Sequence, residues 1–146
     1  MSAQDRARLH LTATTTANGE DVLKHVKMAA SRVKGGGASL LTTGAQNIGA
    51  QVNVEKETAE GLSLSITSGR RLVELCTFDA VVTSTERGAR LTVGGLQTYK
   101  TTQSTVMGFI PVGPKAIAGY APYKRLLDEV AAELRSIDPS AEVTIG

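Results

Sequence analysis

The sequence predicts an α+β domain, an antiparallel β-sheet of about five to six strands with one early helix and a long C-terminal helix packed on one face. Hydrophobicity has a period of two over most of residues 39–102, which is typical of strands with one buried side. Residues 120–137 show the spacing of an amphipathic helix. No repeat or linker divides the chain, so we expect a single domain, 1–146, in which helix and sheet bury each other.

The chain opens with a predicted strand over residues 6–16, where apolar and polar side chains alternate. A helix should follow, because the side-chain oxygen of Asn18 can cap it and Glu20 and Asp21 suit its first turn. The glycines at 35–37 allow the left-handed backbone that ends a helix. The apolar side of this helix is Val22, Val26, Ala29, Ala30 and Val33.

Strand patterns then follow one another, with short polar turns between them. Residues 48–54 and 62–67 are predicted as two strands, and the denser apolar run 72–82 suits a central strand. Gly94 and Gly95 interrupt the next strand, which we interpret as a bulge or a bend. The regular spacing favours an antiparallel meander with the opening strand in the same sheet.

The C-terminal helix is predicted over residues 120–137. Asp138 and Pro139 stop it, since proline cannot continue a helix, and residues 141–145 could add a short strand or be loose. The carboxylates on its outer, solvated face are Asp128, Glu129 and Glu133. Its apolar stripe is Tyr123, Leu127, Val130, Leu134 and Ile137.

Residues 106–118 are apolar but contain several glycines and prolines, so they are predicted as an irregular loop. This loop could be a lid over a hydrophobic pocket, a surface for another protein, or a connector packed under the helix. Nearby tyrosines could anchor a ligand or could keep their hydroxyls in water at the core boundary. The predicted ligand-binding residues are Met107, Phe109, Ile110, Ile117, Tyr99, Tyr120 and Tyr123.

The order strand, helix, antiparallel strands and long helix resembles the helix-grip architecture of the Bet v 1 and START-like (SRPBCC) superfamily. The resemblance covers most of the chain and is one of element order and periodicity. A usual member has two short helices after the first strand, where this chain has one clear helix and about four or five strands after it. The resemblance implies a hydrophobic cavity between the sheet and the C-terminal helix, with a small apolar ligand in it.

The composition restricts the partners and the location of the protein. The net charge is +2 and the basic residues form no block, so we predict no nucleic-acid partner. Residues 1–11 are polar where a signal peptide would be apolar, and no stretch has the length of a membrane span. We therefore expect a cytoplasmic protein.

Side chains suited to chemistry are few and scattered. His10 and His25 have no carboxylate or nucleophile motif near them in the sequence, and Cys76 lies in an apolar run. We therefore predict no catalytic residue, no metal site and no cofactor. The arginines that could form an anion site, or could protect a sheet edge by their charge, are Arg70, Arg71, Arg87 and Arg90.

Three functions are compatible with these features. The first is a non-enzymatic protein that binds a small hydrophobic ligand between the sheet and the C-terminal helix. The alternative is a structural or assembly subunit that self-associates, or binds another protein, through a sheet edge or the 106–118 loop. An enzyme is the least favoured, because His10, His25, Tyr99 or Tyr120 would have to converge in a pocket.

Overall fold

The computed structural model shows an antiparallel sheet with two helices packed on one of its faces. It describes residues 3–33, 50–68, 73–106 and 110–146. The elements in chain order are α1 (Ala3–Ala7), β1 (His10–Thr15), α2 (Gly19–Arg32), β2 (Gln51–Thr58), β3 (Gly61–Ser68), β4 (Val73–Thr85), β5 (Gly88–Gly94), β6 (Thr98–Tyr99), β7 (Thr101–Val106), β8 (Ile110–Ile117), α3 (Tyr120–Ile137) and β9 (Glu142–Ile145). The predicted α+β class is confirmed.

The main sheet has the strand order β2-β3-β4-β5-β1-β9, and neighbouring strands are antiparallel. The short strand β6 also belongs to it and pairs with β4. The predicted meander is therefore confirmed, and the opening strand joins the same sheet between β5 and β9. Among the strands that the structure describes, β2 and β9 form the two edges.

The first strand is shorter than predicted. It begins at His10, and residues 3–7 form the short helix α1 instead. The Arg8 N–H closes this helix by donating to the carbonyl oxygens of Gln4 and Asp5, each at 3.2 Å. The alternation from residue 6 onward predicts a strand, but alanine, glutamine and arginine favour a helix, and the local hydrogen bonds prevail.

Helix α2 begins at the predicted cap, where Asn18 Oδ1 accepts a hydrogen bond from the Asp21 N–H at 2.8 Å. The predicted apolar side, from Val22 to Val33, is buried. The helix packs on α3 and on β2, β4 and β5. The glycines at 35–37, which the sequence predicts as its end, lie outside the described residues.

Helix α3 lies against the sheet with the side that the sequence predicts. Tyr123, Leu127 and Leu134 have no accessible surface, and Val130 has 1%. Ile137, at the end of the stripe, is half-buried. The helix contacts both β1 and β2, which lie toward opposite ends of the strand order.

The predicted interruption at Gly94 is a bulge between β5 and β6. From Val93 to Thr98 the chain advances five residues, while the partner strand advances three, from Ala80 to Thr77. Pairing with β4 then resumes, as expected for a bulge. Gly94 has a φ of 90°, a conformation that favours glycine.

The bulge makes room for a buried hydrogen bond near the start of α3. The Tyr123 hydroxyl donates to the carbonyl oxygen of Leu9, and a Cβ at Gly94 would collide with that hydroxyl. The Tyr123 ring also packs edge-on against Phe78, with 4.9 Å between the ring centroids. For Tyr123, the interpretation that places the hydroxyl in water is therefore wrong.

Residues 101–106 and 110–117 form two antiparallel strands of a hairpin, whereas the sequence predicts an irregular loop over 106–118. Its strands, β7 and β8, pair with each other and with no other strand in the described part of the chain. Prolines count against a strand in the sequence, but they are tolerated where one side of a strand needs no hydrogen bonds. Pro111 occupies such a strand, opposite Thr105.

Replacing Tyr123 by phenylalanine should lower the free energy of unfolding by about 1–3 kcal/mol, because the Leu9 carbonyl would lose a buried donor. Tyr120→Phe is the matched control, since its ring is half-buried beneath the Arg6 guanidinium and its loss of a hydroxyl should cost less than about 0.5 kcal/mol. Urea denaturation followed by circular dichroism measures both variants. Equal losses would contradict the buried hydrogen bond.

Candidate functional site

The structure brings part of the predicted ligand site together near Cys76. Tyr99 lies opposite Cys76 on the neighbouring strand. Gly119, between Ile117 and Tyr120 in the chain, lies against the Cys76 side chain. Ile117 is 3% exposed, whereas Tyr99 and Tyr120 are half-buried.

Of the remaining predicted ligand residues, Tyr123 lies next to that group, since its N–H donates to the Gly119 carbonyl oxygen at 3.0 Å, and Ile110 does not. Ile110 is 44% exposed and lies at the opposite end of β8 from Ile117. Met107 and Phe109 lie outside the described residues. Tyr123 is fully buried beneath the sheet.

The contact between the sheet and α3 is closed. A side chain with no accessible surface has no water-sized space beside it, so this contact is packed like an ordinary protein core. A ligand at this position would require α3 to separate from the sheet. The binding of a small apolar ligand by this protein stays a prediction. The side chains at this contact with 0% exposure include Leu11, Ile66, Phe78, Leu91, Leu126, Leu127 and Leu134.

A cluster of three titratable side chains joins α2 to α3. His25 Nδ1 lies 2.7 Å from Glu133 Oε2, and Arg32 donates to Glu133 Oε1. The hydrogen bond with His25 holds the pKa of Glu133 below its usual value; burial acts in the opposite direction, and Arg32 adds to the lowering. Glu133 is 8% exposed, so its assignment to the outer face of the helix is wrong.

The other candidate groups for chemistry have structural surroundings. His10 Nδ1 lies 2.9 Å from the carbonyl oxygen of Arg8. Cys76 is 1% exposed, and burial raises the pKa of its thiol to about 12, far above that of a reactive cysteine. Among the described residues, the hydrogen bonds of His10 and His25 lead to no nucleophile.

The predicted arginine group is described only in part. Arg70 and Arg71 lie outside the described residues. Arg87 lies in the turn between β4 and β5, and Arg90 lies opposite Thr14 on the sheet face away from the helices. Both interpretations of these arginines, an anion site and protection of a sheet edge by charge, therefore stay open.

The Asp138 carboxylate anchors the end of α3 to the end of β1. Oδ2 accepts hydrogen bonds from the Thr15 hydroxyl at 2.8 Å, the Thr16 N–H at 2.9 Å and the Thr16 hydroxyl at 3.1 Å. Oδ1 accepts from the hydroxyl and the N–H of Ser140, at 2.5 and 3.0 Å. These bonds, with that from the Ser140 hydroxyl foremost, hold the pKa of Asp138 well below its usual range. The sequence identifies Asp138 only as a helix stop.

This anchor directs the chain into β9, which pairs with β1. The Gly146 N–H donates to the His10 carbonyl oxygen at 3.0 Å, and Thr144 lies opposite Thr12. Because antiparallel strands alternate between hydrogen-bonded and non-hydrogen-bonded pairs, the backbone groups of Thr144 point toward β1. Those of Val143 and Ile145 therefore point away from the sheet.

The side chains of β9 continue the two faces of the sheet. Val143 and Ile145 lie opposite Ala13 and Leu11, on the helix face, and are half-buried. Glu142 and Thr144 lie on the other face and are exposed. In the part of the chain that the structure describes, no strand pairs with the outer side of β9.

The opposite edge is protected against further pairing. Strand β2 has a break in its register between Val54 and Lys56. Glu55, Lys56 and Glu57 follow one another there, and Lys27 forms an ion pair with Glu57 at 2.7 Å. Charges and bulges of this kind blunt a strand edge. Strand β9 has no proline, lysine or bulge, and it is protected only by its length of four residues and by the single charge of Glu142 at its start.

An open groove of about 570 Å³ lies where the end of β1, the turn between β4 and β5 and the turn before β9 meet. Its walls include Thr14, Arg87, Asp138 and Glu142. The mixture of a cation with carboxylates favours neither an anion nor a cation in it.

Asp138→Asn should lower the melting temperature at pH 7, because an amide cannot accept all five of these hydrogen bonds. Since the carboxyl pKa is lower in the folded than in the unfolded protein, its contribution is complete above the usual value of 3.8 and is lost as the pH falls below that. The variant should therefore lose less stability than the wild type between about pH 5 and pH 2. Thermal melts across this range test it.

Glu142→Gln is the matched control, because it neutralises an exposed carboxylate on the same groove. It should leave the melting temperature at pH 7 nearly unchanged. If Asp138→Asn lost as much stability as the wild type between about pH 5 and pH 2, the result would contradict the role of Asp138 as an anchor.

None of the helices that the structure describes has both the length and the apolar character needed to cross a membrane. The described residues also contain no group of three or more histidine, cysteine, aspartate and glutamate side chains that could hold a metal ion. Comparison with known proteins gives no match: no protein family, no curated protein and no solved structure is significantly similar to this chain.

Proposed function

We propose that this protein is a non-enzymatic assembly module that receives a further β-strand of protein at the outer side of β9. The observation that carries the proposal is the orientation of the Val143 and Ile145 backbone groups away from β1. Outward N–H and C=O groups on a strand without a bulge are a template for another strand. The protection of β2 makes β9 the more accessible of the two edges.

The closed core also favours this interpretation over a ligand held between the sheet and α3. Leu11, Phe78 and Leu127 leave no water-sized space at that contact. The edge, in contrast, needs no rearrangement to bind. Added pairing would also cover Val143 and Ile145, whose side chains are half-buried at present.

The size of the edge predicts a weak, reversible complex. Two outward residues provide four backbone hydrogen bonds, each worth about 0.5–1.5 kcal/mol. Association costs at least about 4 kcal/mol in lost translation and rotation, so these bonds and a small apolar contact leave a modest surplus. Such an edge suits a subunit that assembles and dissociates with concentration.

Val143→Pro should abolish the complex and leave the fold intact. Proline removes the outward N–H of Val143 and keeps an apolar side chain, while the hydrogen bonds to β1 come from the neighbouring residues. Val143→Ala is the control, because it keeps the N–H and should retain a weakened complex. Native mass spectrometry of protein purified from its own cells measures all three.

The wild type and Val143→Ala should then give masses above the 15.3 kDa of one chain, and Val143→Pro should give 15.3 kDa alone. A complex that survives Val143→Pro, or a wild type that is always monomeric, would contradict the proposal. A retained small molecule on a monomer would favour the ligand interpretation instead.

A further inference from the structure

We propose that the strand received at this edge is β9 of a second copy of the chain, paired antiparallel about a two-fold axis at Thr144. This inference rests on the proposed function and names the partner of the same edge. It follows from three properties of β9: its outward backbone groups, the residues on its two faces, and the position of its one charge.

The backbone groups select the register. With the axis at Thr144, Val143 of each copy lies opposite Ile145 of the other. All the outward N–H and C=O groups of both strands are then used, in four hydrogen bonds. A register centred on Val143 would instead call on Ala141, whose N–H already donates to the Asp138 carbonyl oxygen at 3.0 Å.

The outer face of the sheet would continue across the axis. Thr92, Thr12 and Thr144 lie side by side on β5, β1 and β9. The axis places the two Thr144 side chains opposite each other, so this row of threonines runs on into the second copy. Cross-strand threonine pairs of this kind are favourable.

The helix face would continue in the same way. Leu91, Ala13 and Val143 form a row across β5, β1 and β9, and Ile145 of the copy would extend it. Because the axis is normal to the sheet, the helices of both copies lie on the same face. The half-buried side chains of Val143 and Ile145 would then cover each other.

The charge of Glu142 also favours this register. Each Glu142 would lie opposite Gly146 of the other copy, and the two carboxylates would be four residues apart along the strands. At a rise of about 3.4 Å per residue, this separation is about 14 Å. That exceeds the screening length of about 8 Å at physiological ionic strength, whereas a register centred on Glu142 would bring the carboxylates into direct contact.

Disulfide cross-linking tests the register. In a non-hydrogen-bonded antiparallel pair the Cα atoms are about 4.5 Å apart, within the range of a disulfide, so Thr144→Cys should give a covalent dimer on mild oxidation. Glu142→Cys is the matched control, since it is equally exposed on the same face but would be held about 14 Å from its copy. The native Cys76 is buried and should not interfere.

Thr144→Cys should cross-link at least about tenfold faster than Glu142→Cys, because pairing raises the effective concentration of its thiols. Equal rates, or no cross-linking of Thr144→Cys, would overturn the inference. A complex that contains a different chain and that Val143→Pro abolishes would support the addition of a strand at β9 and would contradict pairing with a second copy. If no complex of either kind forms, both the proposed function and the self-pairing of β9 are wrong.

Discussion

The attachment of α3 to β1 at both ends is the constraint on which the rest of the structure depends. Near its start, Tyr123 donates to Leu9, the residue before β1, and at its end Asp138 accepts from Thr15 and Thr16. The lengths agree: fifteen helical residues span about 22 Å and seven strand residues about 23 Å. The helix therefore runs along β1, and the two attachments fix the position of its apolar stripe on the sheet.

The same attachment makes the β9 edge a defined surface. A strand of four residues cannot hold its position through its own hydrogen bonds alone. The Asp138 carboxylate fixes the turn through Ser140 that leads into it, so the strand is placed by the core. An edge held in this way presents its backbone groups in a fixed direction, which lowers the ordering cost of receiving another strand.

Burial on one side imposes a period on a sequence, which is why the two helices and most strands could be predicted. A hydrogen bond between residues far apart in the chain leaves no periodic pattern in the sequence. The pairs Tyr123 with Leu9, His25 with Glu133, and Asp138 with Thr15 each join residues more than 100 positions apart, and the sequence contains no sign of them. The β7–β8 hairpin is missed for a different reason, because its prolines and glycines outweigh its alternation. The position of the β9 edge depends on the Asp138 contacts, so the sequence could suggest a sheet edge but not which one.

The place of β1 within the sheet has a consequence for how the chain acquires its fold. Leu11 lies opposite Val93 on one side and Ile145 on the other, so both partners of β1 come from the second half of the chain. On the ribosome, β1 therefore has no strand partner until β5 has emerged, and its second partner, β9, is synthesised later still. Folding of such a topology is dominated by long-range contacts and is correspondingly slow. We therefore expect the nascent protein to depend on chaperones more than its small size suggests.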